Sequence, residues 1–214
     1  MFNRIRTRKD PLKKILNRYG LIKNLTLFDV GAHKGQTALY LSKVFPNSMV
    51  YSFEPNPELF AELTGSTKYR PQIKCINLAL GRQPGCGFLS TPESDLCGQI
   101  MNAPADGSHA INISSLDFFC QQNNIKEIDI LKIDVEGFEL EVLKGGNRLL
   151  QKRKIEAILL ECDFNSEDTQ HTYFFDAFNF LKTKNFGFHG LFDIVIYGKD
   201  YGIGFCNALF VKGS

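Results

Sequence analysis

The sequence contains no tryptophan, and it lacks the residue spacings that mark several common kinds of site. Its six cysteines never form a Cys-x-x-Cys pair, and no histidine stands at ligand spacing from them, so they predict reduced thiols and no metal site. No apolar run approaches the roughly 20 residues of a membrane span, and the chain does not open on an apolar signal segment. We therefore expect a cytoplasmic protein without integral membrane association.

The composition predicts one globular domain with an uneven charge. The chain has 214 residues, of which 43% are hydrophobic and 22% are charged, which suffices for a full core. The net charge of +2 conceals a basic N-terminal arm, residues 1–24, in which Asp10-Pro11 begins a predicted covering helix. We expect this arm to present a solvated basic face, with contact to an anionic acceptor or acidic lipid as alternatives. Basic residues interleaved with aromatic ones occur nowhere else, so no nucleic acid partner is expected.

The segment Leu27 to Thr37 is the most informative part of the chain. It begins with an apolar strand, Gly31 permits a tight turn, and Gly35 permits the next helix to lie close to the strand or to a ligand. Glu54 follows Gly35 by 19 residues, at the end of the next predicted strand. A βαβ unit presents a carboxylate to the hydroxyls of a ribose at this offset. The pattern therefore predicts a cofactor that contains a nucleoside.

The glycine pattern of this turn separates the candidate cofactors. A dinucleotide fingerprint would require glycine at positions 33 and 36, where the chain has His33 and Gln36. The pattern lacks the glycine that brings the backbone close to a pyrophosphate. S-adenosylmethionine, which carries a ribose and an adenine but no phosphate, fits better. An ordinary α/β turn without a ligand is the alternative.

A second group of polar residues ends the predicted strand 128–134. Asp134 and Glu136 stand at its carboxyl end, where open α/β sheets bind their ligands, so we expect them to face the same crevice as Glu54. Side-chain alternation places Lys132 and Asp134 on one face, together with Glu136 if the strand continues. A buried lysine must be paired, and Asp134 or Glu161 is the expected partner. The alternative is a structural ion pair beside a helix that begins with an acid.

Alternating strand and helix patterns predict an α/β fold. We expect a single Rossmann-like domain over residues 25–214, with a mostly parallel central sheet, helices on both faces and an antiparallel C-terminal edge hairpin. Residues 82–112 are rich in Gly, Pro, Ser and Asp and predict an acceptor-facing insertion with one short strand. The predicted strands are 25–31, 49–54, 72–80, 86–90, 128–134, 155–162, 188–197 and 205–212. The predicted helices are 35–45, 57–64, 115–124, 138–150 with a disturbance at Gly145-Gly146, and 170–184.

Several of these segments carry a family resemblance. In order and spacing they resemble the motif series of the FkbM-type methyltransferases over about residues 25–163, and the terminal segment 207–211 is also similar. The motif segments are 29–37, 53–57, 78–81, 114–117 and 131–143. The resemblance implies a class I methyltransferase sheet with a reversed last strand. It also implies S-adenosylmethionine as the donor and usually a hydroxyl acceptor on a sugar or a secondary metabolite.

The resemblance further implies a set of cofactor-binding residues. Glu54 would bind the ribose, and Asp134 would lie near both the donor and the acceptor entrance. The methionine side would be lined by Asp29, Gly31, Ala32 and Gly35. The adenine would be flanked by Ala79 and Leu80.

A hydroxyl acceptor must lose its proton around methyl transfer, so a nearby base is expected. Asp134 is best placed for this role by position, and His109 in the insertion is best suited by its intrinsic pKa, with Glu136 and His189 as further candidates. His33 is expected to shape the cofactor turn. Mg²⁺ held by Asp134, Glu161 and Asp163 is an alternative that we do not adopt.

These observations predict an S-adenosylmethionine-dependent O-methyltransferase that acts on a hydroxyl of a saccharide or small metabolite. Two other functions stay open at this point. The generic βαβ unit is also compatible with an NAD-dependent oxidoreductase. The basic arm is compatible with a non-catalytic, cofactor-binding interaction module.

Overall fold

The structure, a computed structural model, describes residues 2–5, 24–90, 99–101, 103–104, 107–168, 170–197 and 203–213, with the backbone alone at 2–5, 99 and 197. Its strands are β1 (Phe2–Ile5), β2 (Thr26–Val30), β3 (Met49–Phe53), β4 (Ile73–Ile76), β5 (Ala79–Leu80), β6 (Gly85–Ser90), β7 (Gln99–Met101), β8 (His109–Ser114), β9 (Ile128–Ile133), β10 (Ile155–Asp163), β11 (Phe186–Phe192), β12 (Ile194–Tyr197) and β13 (Phe205–Lys212). Its helices are α1 (Gln36–Val44), α2 (Pro57–Thr67), α3 (Leu116–Gln122), α4 (Glu139–Gly145), α5 (Asn147–Gln151) and α6 (Phe174–Thr183).

Seven strands form the central sheet in the order β11-β13-β10-β9-β2-β3-β4. The strands from β10 to β4 are parallel, whereas β13 runs antiparallel to both β10 and β11. The predicted α/β architecture and its antiparallel C-terminal pair are confirmed. Because β13 lies between β10 and β11, β11 forms one edge of the sheet and β4 forms the other.

Each face of the sheet packs into its own apolar layer. Phe28, Leu131 and Ile158 belong to one core cluster, which also includes residues of α3, α4, α5 and α6. Leu27 and Ile130 point to the other face and pack with residues of α1. Strands covered on both sides are apolar at nearly every position, which is why their sequences lack polar alternation.

A four-stranded sheet in the order β5-β8-β6-β7 stands beside the central one. The prediction of a continuous strand over 72–80 is wrong, because the side chain of Asn77 donates to the carbonyl oxygens of Glu54 and Pro55 at 2.8 and 3.0 Å and interrupts it. Ala79 and Leu80 then pair with β8. In its described part, the insertion carries β6, β7 and the beginning of β8, where the sequence predicted only the strand at 86–90.

Side chains cap the starts of two helices, and the sequence predicted the cap at Ser115 but not the one at Asn56. Asn56 and Ser115 accept backbone N–H groups as N-caps of α2 and α3. The predicted disturbance of the helix over 138–150 is confirmed, since α4 and α5 are separate helices joined at Gly146. The helix predicted from residue 170 begins only at Phe174, because the side chain of Asp168 accepts the backbone N–H groups of Gln170 and His171 outside any helix.

The two ends of the chain differ from the predictions. The predicted strand 188–197 is divided at Asp193, which has a φ of 48°, and its second part, β12, pairs with β1. The covering helix predicted after Asp10 lies outside the described residues, as does segment 91–98 of the insertion. Among the described helices, none is long and apolar enough to cross a membrane.

The contact between α4 and the turn after β5 gives a test of the fold. A Cβ added at Gly145 would lie 2.0 Å from the carbonyl oxygen of Gly81. We expect Gly145→Ala to lower the free energy of unfolding by about 1 to 3 kcal/mol, because the helix and the small sheet must separate. Urea denaturation of the full chain measures this change.

Gly65 in α2 is the matched control, since an added Cβ there meets nothing within 4 Å. Gly65→Ala should stabilise the protein by about 0.5 to 1 kcal/mol through helix propensity. Equal effects of the two substitutions would contradict the close approach of α4 to Gly81.

Candidate functional site

A cleft opens at the carboxyl ends of β2, β3 and β9. Its rim carries polar groups from these strand ends, and its walls are mostly apolar and include side chains from the small sheet. The lining residues are Val30, Gly31, His33, Phe53, Glu54, Pro55, Leu59, Leu78, Ala79, Leu80, Leu89, Ile100, Asp134, Val135 and Glu136. This is the position at which open α/β sheets bind their ligands.

The turn at Gly31 brings the ends of β2 and β9 into contact. Gly31 has a φ of 81°, and a Cβ at this position would lie 1.8 Å from the carbonyl oxygen of Asp134. The backbone N–H of Asp134 donates to the carbonyl oxygen of Val30 at 3.0 Å. Only glycine fits here, because any side chain would push the two strand ends apart.

Glu54 forms one wall of the cleft and is 5% exposed. Its carboxylate accepts the backbone N–H of His33 at 2.8 Å and that of Asn56 at 2.9 Å, one on each oxygen. Burial raises the pKa of Glu54, and these two hydrogen bonds oppose the rise. Since a carboxylate oxygen accepts more than one hydrogen bond, both oxygens retain capacity for a ligand hydroxyl.

Lys132 and Asp134 form an ion pair at the base of the cleft, which confirms the predicted partner of this buried lysine. The Nζ of Lys132 is 2.7 Å from Oδ2 of Asp134. Burial alone would raise the pKa of Asp134, but the charge and hydrogen bond of Lys132, together with smaller contributions from Glu161 and His171, hold that pKa below its usual value. Asp134 is therefore ionised at neutral pH, and its side chain is 31% exposed toward the cleft.

Asp29 lies behind this pair and is completely buried. Neither of its carboxylate oxygens has a hydrogen-bond partner among the described residues, and the Nζ of Lys132 lies 3.9 Å from Oδ1. Burial raises the pKa of Asp29 to about 6, against the opposing attraction of Lys132. The protein thus keeps a carboxyl group in a position that destabilises its charged form.

Glu161 and His171 extend the polar group on the β10 side. Burial, the negative charge of Asp134 and a hydrogen bond with Asp134 raise the pKa of Glu161 to about 10, so Glu161 is protonated at neutral pH. The Nε2 of His171 lies 3.7 Å from Oε2 of Glu161. The sequence pointed to Glu161 only as a partner of Lys132 or as a metal ligand, and it did not single out His171.

Glu139 organises the loop after β9 and was also missed. Its Oε1 accepts the backbone N–H groups of Val135 and Gly137 at 2.9 and 3.3 Å. Its Oε2 accepts the hydroxyl of Thr172 at 2.6 Å and the backbone N–H of the same residue at 3.3 Å. The loop can therefore leave the strand direction, and Glu136 adopts a φ of 53°. The strand therefore does not continue to Glu136, and the condition for placing Glu136 on the face of Lys132 and Asp134 is not met.

The structure brings most of the predicted site residues to one cleft, though not all. The predicted residues that line it are Gly31, Glu54, Ala79, Leu80, Asp134 and Glu136. Asp29, Ala32 and Gly35 lie behind the lining. A Cβ at Gly35 would meet Leu63 and Ser66 of α2 at 2.9 Å, so this glycine permits the start of α1 to pack closely against α2.

His109 lies on β8, is exposed, and is not among the residues that line the cleft. The apolar wall residues, such as Leu89 and Ile100, were not predicted individually, because the sequence does not distinguish an apolar residue that lines a cleft from one that packs in the core.

Comparison with known proteins shows the family of this chain. Residues 29–189 match the sequence profile described as the methyltransferase FkbM domain. The chain belongs to the FkbM methyltransferase family. Among curated proteins, it is 30% identical over 143 residues to the hexuronic acid methyltransferase AglP of Haloferax volcanii, covering 66% of this chain and 58% of AglP. It is 25% identical over 145 residues to the 2-O-methyltransferase NoeI of Sinorhizobium fredii, covering 60% of each protein. This FkbM family chain thus spans less than two thirds of the length of these relatives.

Solved structures share the fold of this FkbM family chain at low sequence identity. An rRNA methylase from Streptococcus thermophilus has a TM-score of 0.55 at 10% identity, covering 97% of this chain and 99% of that one. TrmK of M. capricolum, solved with S-adenosylhomocysteine, has a TM-score of 0.54 at 12% identity, covering 95% of this chain and 68% of that one. These similarities establish the Rossmann-like methyltransferase fold.

The buried carboxyl group of Asp29 predicts a pH-dependent stability. Because its pKa is raised from 3.8 to about 6, the native state binds the proton more tightly, so stability falls as the pH rises between these values. We expect Asp29→Asn to be more stable than the wild type by about 1 to 3 kcal/mol at pH 7, with the difference vanishing below pH 4. Urea unfolding at several pH values measures it.

Asp176→Asn is the control, since Asp176 is exposed on α6. It removes the same charge without changing a buried group. A wild type that is more stable than Asp29→Asn at pH 7 would mean that the buried carboxylate has a stabilising partner.

Proposed function

We propose that this protein transfers a methyl group from S-adenosylmethionine to a hydroxyl of a saccharide or small metabolite. The observation that carries the proposal is the placement of a fixed, buried carboxylate, Glu54, and an ionised one, Asp134, in one apolar cleft at the strand ends. A donor with a ribose, an apolar adenine and a positively charged sulfonium matches these three features.

The residues of the cleft suit the parts of this donor. Glu54 would accept the ribose hydroxyls, since its oxygens are fixed by the backbone of His33 and Asn56. Ala79 and Leu80 offer apolar surface for the adenine. The methionine portion would lie between the turn at Gly31 and the side chain of Asp134, which both line the cleft. When bound, the donor supplies an activated methyl group, so orientation of the acceptor is the main requirement on the protein.

Asp134 is the proposed proton acceptor. Lys132 keeps it ionised, and its side chain is accessible from the cleft, so it can accept a hydrogen bond from an incoming hydroxyl. The raised pKa of Glu161 keeps this neighbour protonated, so it can donate a hydrogen bond to the carboxylate of Asp134. Glu136 lines the same cleft and is the second candidate. The proposal gives no role to His109.

The saccharide class of acceptor is supported by a relative. AglP is named as a hexuronic acid methyltransferase, and it is 30% identical to the matched part of this chain. The name of the rRNA methylase with the same fold carries no weight for the acceptor, because 10% identity supports the fold alone. The proposal therefore does not include RNA as an acceptor, and RNA is tested beside saccharides in the methyl-transfer experiment below.

Donor binding tests the role of Glu54. We expect calorimetric titration to show binding of S-adenosylhomocysteine and none of NAD. Glu54→Gln should weaken this binding by roughly 10- to 100-fold, because charge-assisted hydrogen bonds to the ribose are lost. Glu58→Gln, an exposed residue of α2, is the control and should bind like the wild type.

Melting temperatures of both variants check that the turn held by Glu54 survives the substitution. Unchanged affinity in a folded Glu54→Gln protein, or clear binding of NAD, would refute the proposed donor site.

Methyl transfer tests the catalytic part of the proposal. With a donor labelled in its methyl group, we expect label to move to saccharides with free hydroxyls, hexuronic acids included, and not to RNA. Asp134→Asn should lower kcat by about 10²- to 10⁴-fold while the affinity for S-adenosylhomocysteine changes little. Normal turnover in Asp134→Asn would exclude Asp134 as the proton acceptor. Donor binding without transfer to any acceptor would favour the non-catalytic module.

A further inference from the structure

Three potential metal ligands meet beside the cleft, at the carboxyl end of β10 and in the turn that follows it. A carboxylate oxygen of Asp163, one of Asp168 and a ring nitrogen of His171 all lie within 4.8 Å of one another. Asp163 is completely buried, and the side chains of Asp168 and His171 are 17% and 8% exposed. The function proposed above makes no use of these three residues.

Asp163 has an oxygen that nothing in the described part of the chain satisfies. Its Oδ1 accepts the backbone N–H of Asn165, whereas its Oδ2 is buried without a hydrogen-bond partner. Neither Asp163 nor Asp168 forms an ion pair with a described lysine or arginine side chain. A buried carboxylate oxygen without a partner carries a desolvation cost, which a bound cation would remove.

His171 is held in a fixed orientation toward the two carboxylates. Its ring stacks on Phe205 with the centroids 4.8 Å apart and the planes inclined by 9°. Its Nδ1 lies 3.3 Å from Oδ1 of Asp168, which also accepts the backbone N–H groups of Gln170 and His171. Two ligands of one ion, each about 2.1 Å from it, lie roughly 3 to 3.4 Å apart, so this pair already has the required spacing.

We propose that Asp163, Asp168 and His171 bind a divalent transition-metal ion such as Mn²⁺ or Zn²⁺, with water completing the coordination. One imidazole and two carboxylates favour such an ion over Ca²⁺ or Mg²⁺, which prefer oxygen ligands alone. The site differs from the set of Asp134, Glu161 and Asp163 weighed from the sequence. It adjoins the cleft, since Glu161 lies between His171 and Asp134.

Metal titration of the full chain tests the site without any substrate. After treatment with a chelator, we expect one Mn²⁺ or Zn²⁺ per chain by calorimetry, and loss of the free Mn²⁺ signal in electron paramagnetic resonance. His171→Gln should weaken this binding by at least about tenfold. His189→Gln, which changes an exposed histidine of β11, should bind like the wild type. Asp163→Asn should also lose the ion.

A second measurement covers the case in which Asp163→Asn does not fold. Because a ligand of the native state raises the melting temperature, saturating Mn²⁺ or Zn²⁺ should stabilise the wild type and His189→Gln but not His171→Gln. Equal binding by His171→Gln and His189→Gln would overturn the proposal. So would binding weaker than about 100 µM together with no stabilisation of the wild type, because the turn would then be held by its internal hydrogen bonds alone.

Discussion

The cleft depends on how closely the ends of β2 and β9 approach each other. The turn at Gly31 lies against the carbonyl of Asp134 with room for a hydrogen atom only, since a Cβ at Gly31 would come within 1.8 Å of that oxygen. This contact fixes where Asp134 projects, and the hydrogen bonds from Gly31 and Ala32 to Phe53 fix where β3 ends. Glu54 and Asp134 therefore face one space, although 80 residues of chain separate them.

The second constraint is electrostatic. Asp29, Lys132 and Asp134 lie within one buried group, and Lys132 is the cation that pairs with the two acids among the described residues. The single charge of Lys132 can stabilise only one carboxylate well. Asp134 is therefore ionised, whereas Asp29 and Glu161 have raised pKa values. Such an arrangement lowers stability, and buried acids of unequal pKa are typical of functional sites. A positively charged donor or a metal ion would offset the negative charge that Lys132 leaves uncompensated.

Local chemistry predicted the parts of this structure that depend on short segments. Apolar runs identified β2, β3, β9 and β10, and Ser115 marked the start of α3. The offset between Gly35 and Glu54 placed a carboxylate in the cleft, because the βαβ unit has nearly fixed dimensions. Gly35 itself does not line the cleft, and its neighbours in α2 could be known only from packing.

The features that sequence reasoning missed depend on contacts between distant segments. The small sheet joins Ala79 to Ile113 across a segment that is rich in turn-forming residues, so no local pattern indicated it. Glu139 lies in a helix sequence where an acid is ordinary, and only the fold shows it reaching Thr172. His171 becomes a candidate ligand because β10 ends beside it and Phe205 orients its ring.

The central claim is that the space between Gly31, Glu54 and Asp134 holds the methyl donor. A crystal structure of the full chain with S-adenosylhomocysteine tests it most directly. We expect the ribose hydroxyls on the carboxylate of Glu54, the adenine against Ala79 and Leu80, and the sulfur on the side of Asp134. A ligand bound elsewhere, or in this cleft with its ribose away from Glu54, would contradict the claim.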